Sequence, residues 1–174
     1  KVRLSNLQQM AKTVAYIQEH GYDTEDDLKA AFDEAQAQTT EMRKTLRSTE
    51  KKLREVNEQI HYTGQYLANK SVYREFLTCK NKKKFRLEHQ TEITLYETAR
   101  KILKEHSEDG KLPSMKLLKA EKEKLTARKN SQYETYQNLR GYEKELHTVQ
   151  TNIVTFLGKD RSRQTAQERE STRS

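Results

Sequence analysis

Apolar residues recur along this chain at spacings of three and four, the signature of helices that each bury one stripe. From Leu4 to Glu19 the apolar positions are Leu4, Leu7, Met10, Ala11, Val14 and Ile17, and Gly21 follows as a stop signal. "DTEDDL" then opens a second helix, with Thr24 as N-cap and Glu25, Asp26 and Asp27 placing negative charge on the first turn. From there two heptad tracks run on. One is Phe32, Thr39, Leu46, Leu53, Ile60, Leu67; the other is Leu28, Ala35, Met42, Thr49, Val56, Thr63. More than five uninterrupted heptads predict a coiled coil rather than an ordinary surface helix. At ~1.5 Å per residue, about 43 residues span on the order of 65 Å.

A third long helix is expected after "KLPSMKLL", with Pro113 as boundary and Ser114 as N-cap. Its tracks are Leu118, Leu125, Gln132, Leu139, Leu146, Ile153 and Thr135, Tyr142, Val149, Phe156, weakened early by Glu121 and Arg128. Two helices of equal length around a compact insertion are best paired as an antiparallel hairpin. The insertion offers "SVYREFLTCK" and "KKFRLEHQTEITLYETARKILKEH", two amphipathic stretches expected to pack as a small helical tip. The predicted fold class is therefore all-α: a long antiparallel coiled-coil hairpin with a helical tip and an N-terminal helix packed at the base. Its parts are the base helix (1–22), the first coiled-coil helix (24–68), the basic tip (69–112), the second coiled-coil helix (113–158) and a tail (159–174). The tail lacks apolar periodicity and is expected to be loosely structured.

Composition narrows the function classes. Only 32% of the 174 residues are hydrophobic and 34% are charged, which suits long exposed helices rather than a large compact core. No run of about 18 apolar residues is present, so no membrane partner is expected, and a cytoplasmic location is. Cys79 is the sole cysteine and cannot form an internal disulfide. The chain does not begin with Met, and it is read as a part of a longer protein.

The net charge of +8 matters for its location. Residues 1–69 carry 10 basic and 11 acidic residues, and residues 131–174 carry 7 and 6. Residues 70–130 carry 17 and 9, so the whole excess sits in the middle third, which calls for a local anionic partner. Its centre is "CKNKKKFRLEHQ", where Lys80, Lys82, Lys83, Lys84 and Arg86 surround Phe85. Five cations so close cannot share one helical face; they form a collar around a helix start. A second basic group is Lys111, Lys116, Lys119, Lys122 and Lys124, expected nearby on the hairpin. Two readings stand: a grip on phosphates, each contact adding salt-dependent affinity, or a solvated lysine-rich tip. No base-reading motif accompanies the run, so any DNA binding should be sequence-independent.

Catalytic chemistry finds little footing. His20, His61, His89, His106 and His147 fall into no zinc-ligand spacing, and no phosphate-binding glycine loop or nucleophile elbow is present. The tyrosines Tyr73, Tyr96, Tyr136 and Tyr142 lie on or beside apolar stripes, as packing residues do. No catalytic residue, metal or cofactor is assigned.

Taken together, "LQQMAKTVAYIQEHGYDTEDDL", "YREFLTCKNKKKFRLEHQTEITLYETARKILKE" and "LPSMKLLKAEKEKL" resemble the C-terminal helical region of relaxases, the mobilisation nucleases of conjugative transposons and plasmids in Gram-positive bacteria. The resemblance covers roughly residues 4–157 and rests on segment order and texture. In that family an N-terminal domain nicks DNA with a tyrosine nucleophile and a histidine-bound metal ion, and none of those motifs is in this chain. The resemblance implies a non-catalytic region that follows the nuclease. Such a region is expected to help hold DNA, or to dock on a relaxosome subunit or the coupling protein of the secretion channel. For the docking alternative, Tyr62, Tyr66, Tyr73 and Phe76 are expected as exposed aromatics around the tip. The polar seam positions Thr39, Thr49, Thr63, Arg128 and Gln132 are marginal alone. A second copy, forming a homodimer, or the remainder of the longer protein would complete them.

Overall fold

The computed structural model describes the backbone of residues 2–106, 112 and 114–171, and the side chains of residues 5–106, 112 and 114–158. Among the described residues there are five helices and no strand. They are α1 (Val2–His20), α2 (Glu25–Thr78), α3 (Lys82–Glu88), α4 (Gln90–Glu105) and α5 (Met115–Ser171). They build two compact units, one from Lys1–Lys44 with Tyr133–Ser174 and the other from Thr45–Gln132.

In the first unit, local chemistry sets the turn between α1 and α2. Gly21 adopts φ +66, the left-handed region that costs a side chain ~1 kcal/mol or more. There the Tyr22 amide donates to the Ile17 carbonyl at 3.1 Å and the Gly21 amide to Gln18 at 3.4 Å, the paired bonds of a Schellman motif. Three residues on, the Asp27 amide donates to Thr24 Oγ1 and the Thr24 amide donates to Asp27 Oδ2, a reciprocal cap. The expected start of α2 is thus found where the sequence places it. The core of this unit is Leu28, Ala35, Leu146 and Val149, with Tyr16, Ile17, Tyr22, Phe32, Tyr142 and Ile153 packed around it. Phe32 meets His147 and Arg43 meets Tyr136, so within this unit α2 and α5 run in opposite directions.

The face of α1 is a correction. Of the expected stripe, Leu7, Met10, Ala11 and Val14 face outward, with Leu7 66% exposed, while Ile17 packs inward as expected and the Leu4 side chain lies outside the described residues. The packed side is Thr13, Tyr16 and Ile17. Tyr16 and Ile17 pack against the Leu28, Ala35, Leu146 and Val149 cluster, and Tyr16 offers a larger apolar surface than Val14. Thr13 keeps its hydroxyl satisfied by donating to the Gln9 carbonyl and accepting from Asn152 Nδ2.

In the second unit the heptad tracks hold their burial through Leu46, Thr49, Leu53, Val56, Ile60 and Thr63 and fail at Leu67, which is exposed. Opposite them, Leu118 and Leu125 of α5 are buried, while Glu121 and Arg128 are exposed. Ser114 supplies the carbonyl for the first bond of α5, from the Leu118 amide at 3.0 Å. Met115 lies beside Gly64, its Cε 3.9 Å from where a β-carbon on that glycine would stand. The stripe Ile93, Tyr96, Ala99 and Leu103 of α4 is buried.

Two boundaries of the expected tip move. "SVYREFLTCK" is not a separate helix but the last turns of α2, because nothing between residues 63 and 78 breaks helical bonding. The second stretch is divided at His89 (φ −122, ψ 34) into α3 and α4. The expected loose tail also differs: the backbone stays helical to Ser171, where residues 159–171 contain no proline and are rich in Arg, Gln and Glu, which favour helix without packing.

Candidate nucleic-acid interface

The basic run sits where α2 ends and α3 begins. α2 is closed by the Cys79 amide bonding to the Glu75 carbonyl at 2.8 Å and by the Thr78 hydroxyl turning back onto Arg74 and Glu75. Asn81 then caps α3, its side-chain oxygen accepting from the Lys84 amide at 3.1 Å. A cap is needed here because Lys82 and Lys83 oppose the positive end of the helix dipole.

Two side chains fix the direction of α3. Phe85 is half-buried and lies between Phe76 and His89, at centroid distances of 6.5 and 4.4 Å. Arg86 meets Phe76 as well: its guanidinium lies 5.7 Å from the Phe76 ring centre, and its Nη2 donates to Glu97 Oε2 of α4 at 2.8 Å. One arginine therefore ties α3 to both α2 and α4.

Behind them runs a chain of rings. Tyr96 stacks on Tyr73 at 4.1 Å and on Tyr66 at 4.8 Å, Tyr73 approaches Phe76 at 5.8 Å, and Lys70 lies 5.9 Å from the Tyr66 ring centre. Burial, and then its hydrogen bond with Tyr66, push the Tyr96 hydroxyl up to about 12. Tyr66 and Tyr73, two turns apart on α2, meet the same residue of α4, Tyr96, while Phe76 nearer the end of α2 meets Phe85 of α3. Tyr62, Tyr66, Tyr73 and Phe76 are all half-buried, which corrects their expected exposure.

The expected basic residues now separate by role. Lys80, Lys82 and Lys83 are exposed and have no ion-pair partner among the described residues. Lys84 is exposed and lies 3.8 Å from Glu88, a solvent-screened pair of small worth. Arg86 is committed to Glu97 and Phe76. Lys111 lies outside the described residues. Lys116 and Lys119 are exposed on the first turns of α5, with Lys122 and Lys124 beyond them. They are not beside the first group: α5 starts level with Gly64, and Thr78 is 14 residues further along α2, about 21 Å at 1.5 Å per residue. The insertion's own helix α4 lies between the two groups in sequence, and the hairpin picture had drawn them together.

Other polar groups have ordinary neighbours. His20 stacks on Tyr16, His61 pairs with Gln65, His89 faces Glu92, His106 bonds the Ile102 carbonyl, and His147 lies against Phe32. No group of three or more His, Cys, Asp or Glu among the described residues is placed to hold a metal ion. No helix among them is long and apolar enough to cross a membrane. Compared with known proteins, the chain matches no family model, no curated protein and no solved structure.

Proposed function

We propose that this chain binds nucleic acid through phosphate contacts made by the α2–α3 turn, without reading base sequence. The observation that supports it most directly is the set of three exposed lysines, Lys80, Lys82 and Lys83, without acidic partners among the described residues, on a turn that Phe85 and Arg86 hold in place. Charges whose only role was solubility would not need such anchoring, and they would not gather in one third of the chain. In the setting that the relaxase resemblance gives, the chain is a non-catalytic helical region that holds DNA near the nicked site during mobilisation, and the heptad tracks of α2 and α5 belong to one antiparallel coiled-coil hairpin. Lys84 adds to the collar, and Lys116 and Lys119 form a second, independent contact.

The test is fluorescence anisotropy of the chain with labelled DNA across a salt series. Replacing Lys80, Lys82 and Lys83 with Ala should weaken binding and flatten the salt dependence by about 0.9 per lost phosphate contact. An unchanged affinity and slope would remove the tip from the interface.

A second reading rests on a different surface. The outward stripe of Leu7, Met10, Ala11 and Val14 on α1 is the kind of face that docks a partner helix, such as one from a relaxosome subunit or a coupling protein. Capture of a defined partner that survives high salt and is lost on Leu7→Ser with Val14→Ser would favour it.

A further inference from the structure

We infer that the tip takes double-helical rather than single-stranded nucleic acid. This deepens the function proposed above and rests on it. Proteins that hold single strands combine cations with exposed aromatic rings, on which the bases stack. Every ring at this tip is already engaged. Tyr66, Tyr96, Tyr73, Phe76, Phe85 and His89 lie one against the next, and Lys70 and Arg86 lie over the Tyr66 and Phe76 rings. All six are half-buried or buried. A base has no free platform there. The tip turns outward Lys80, Lys82, Lys83 and Lys84, with Leu77 and Leu87 at 54% and 77% exposed.

Lys80, Lys82 and Lys83 fall within four consecutive residues of the α2–α3 turn, Lys80 before α3 and the other two at its start. The turn carries three lysines, unpaired among the described residues, on an anchored frame. A duplex offers its phosphates already ordered, whereas a single strand must be ordered on the collar with no stacking to offset the cost. Counterion release points the same way, being about 0.9 ions per contact on a duplex and about 0.7 on a single strand. For three contacts at about 0.1 M salt, that difference alone favours the duplex by about fourfold. Arg86 acts here as a positioning residue: it is held by Glu97 and Phe76 and aims the lysines.

The experiment is anisotropy of the whole chain with one duplex and with each of its strands at equal length, in stepped salt. The duplex should bind at least about fourfold tighter, with a salt slope steeper by about 0.6. Lys80→Ala, Lys82→Ala and Lys83→Ala combined should remove about 2.7 of the duplex slope. Arg86→Gln should weaken binding with the slope retained, and helix content by circular dichroism should be unchanged in all variants. Strands that bind as tightly as the duplex would overturn this inference and leave the proposed function standing. Absence of binding to either form at low salt would overturn the proposed function and the inference together. A slope lost on Arg86→Gln to the extent seen per lysine would make Arg86 a phosphate ligand and overturn its positioning role.

Discussion

Thr63 should be more stable as valine. The residue is 3% exposed, and its Oγ1 has no hydrogen-bond partner among the described residues. Thr39 makes the comparison: it is equally buried, yet its Oγ1 donates to the Ala35 carbonyl at 2.9 Å. Thr49 does the same to Thr45 at 3.2 Å. A buried hydroxyl left unpaired costs ~1–3 kcal/mol, while a paired one contributes about 1 kcal/mol net. Valine keeps the branched shape and nearly the same helix propensity, so Thr63→Val removes the penalty without opening a cavity. The expected gain is ~1 kcal/mol. With a slope of about 2 kcal/mol per molar, the urea midpoint should rise by about 0.5 M. Thr39→Val, which gives up a satisfied bond, should be neutral or lose up to ~1 kcal/mol. Urea unfolding of both variants and the parent, followed by circular dichroism, measures the two shifts side by side. A Thr63→Val midpoint below the parent's would show that the hydroxyl is satisfied in the folded chain, and the reasoning from its lack of partners would fail.

Two further outcomes follow from the cores of the separate units. Leu146 is fully buried among Leu28, Ala35 and Val149, so Leu146→Ala should cost ~3 kcal/mol by lost transfer and residual cavity; a loss under ~1 kcal/mol by urea titration would show that this contact does not hold the unit together. Tyr96, raised to about 12 against an unfolded value near 10, favours the protonated folded state. Its contribution is therefore full below about pH 10 and is lost between about pH 10 and 12. Tyr96→Phe should abolish that part of the alkaline decline in unfolding titrations, and an unaltered decline would assign it to other groups.

Much of this chain was legible as text. The helix starts at Thr24 and Ser114 and the stop at Gly21 each depend on bonds within a few residues, so local chemistry is enough to specify them. Burial at Leu28, Ala35, Leu118, Leu125, Leu146 and Val149 follows from heptad spacing, because a helix fixes which residues share a side. The basic run was equally visible, since charge counts need no coordinates.

Tertiary structure decided everything that depends on which surface meets which. The outward turn of Leu7, Met10 and Val14 could not be read from α1, whose spacing permits either side; Ile17 of the expected stripe packs against the core beside Tyr16, and the rest of the stripe does not. Nor does the sequence tell that Arg86 is spent on Glu97, eleven residues away, while Lys80, Lys82 and Lys83 have no ion pair among the described residues. The distance between the two lysine groups comes from Met115 lying beside Gly64, and the locking of the tip's rings from the packing of Tyr96 and Phe85 against α2. Sequence periodicity specifies sides of single helices; pairing between helices is a competition among surfaces, and its outcome exists only in three dimensions.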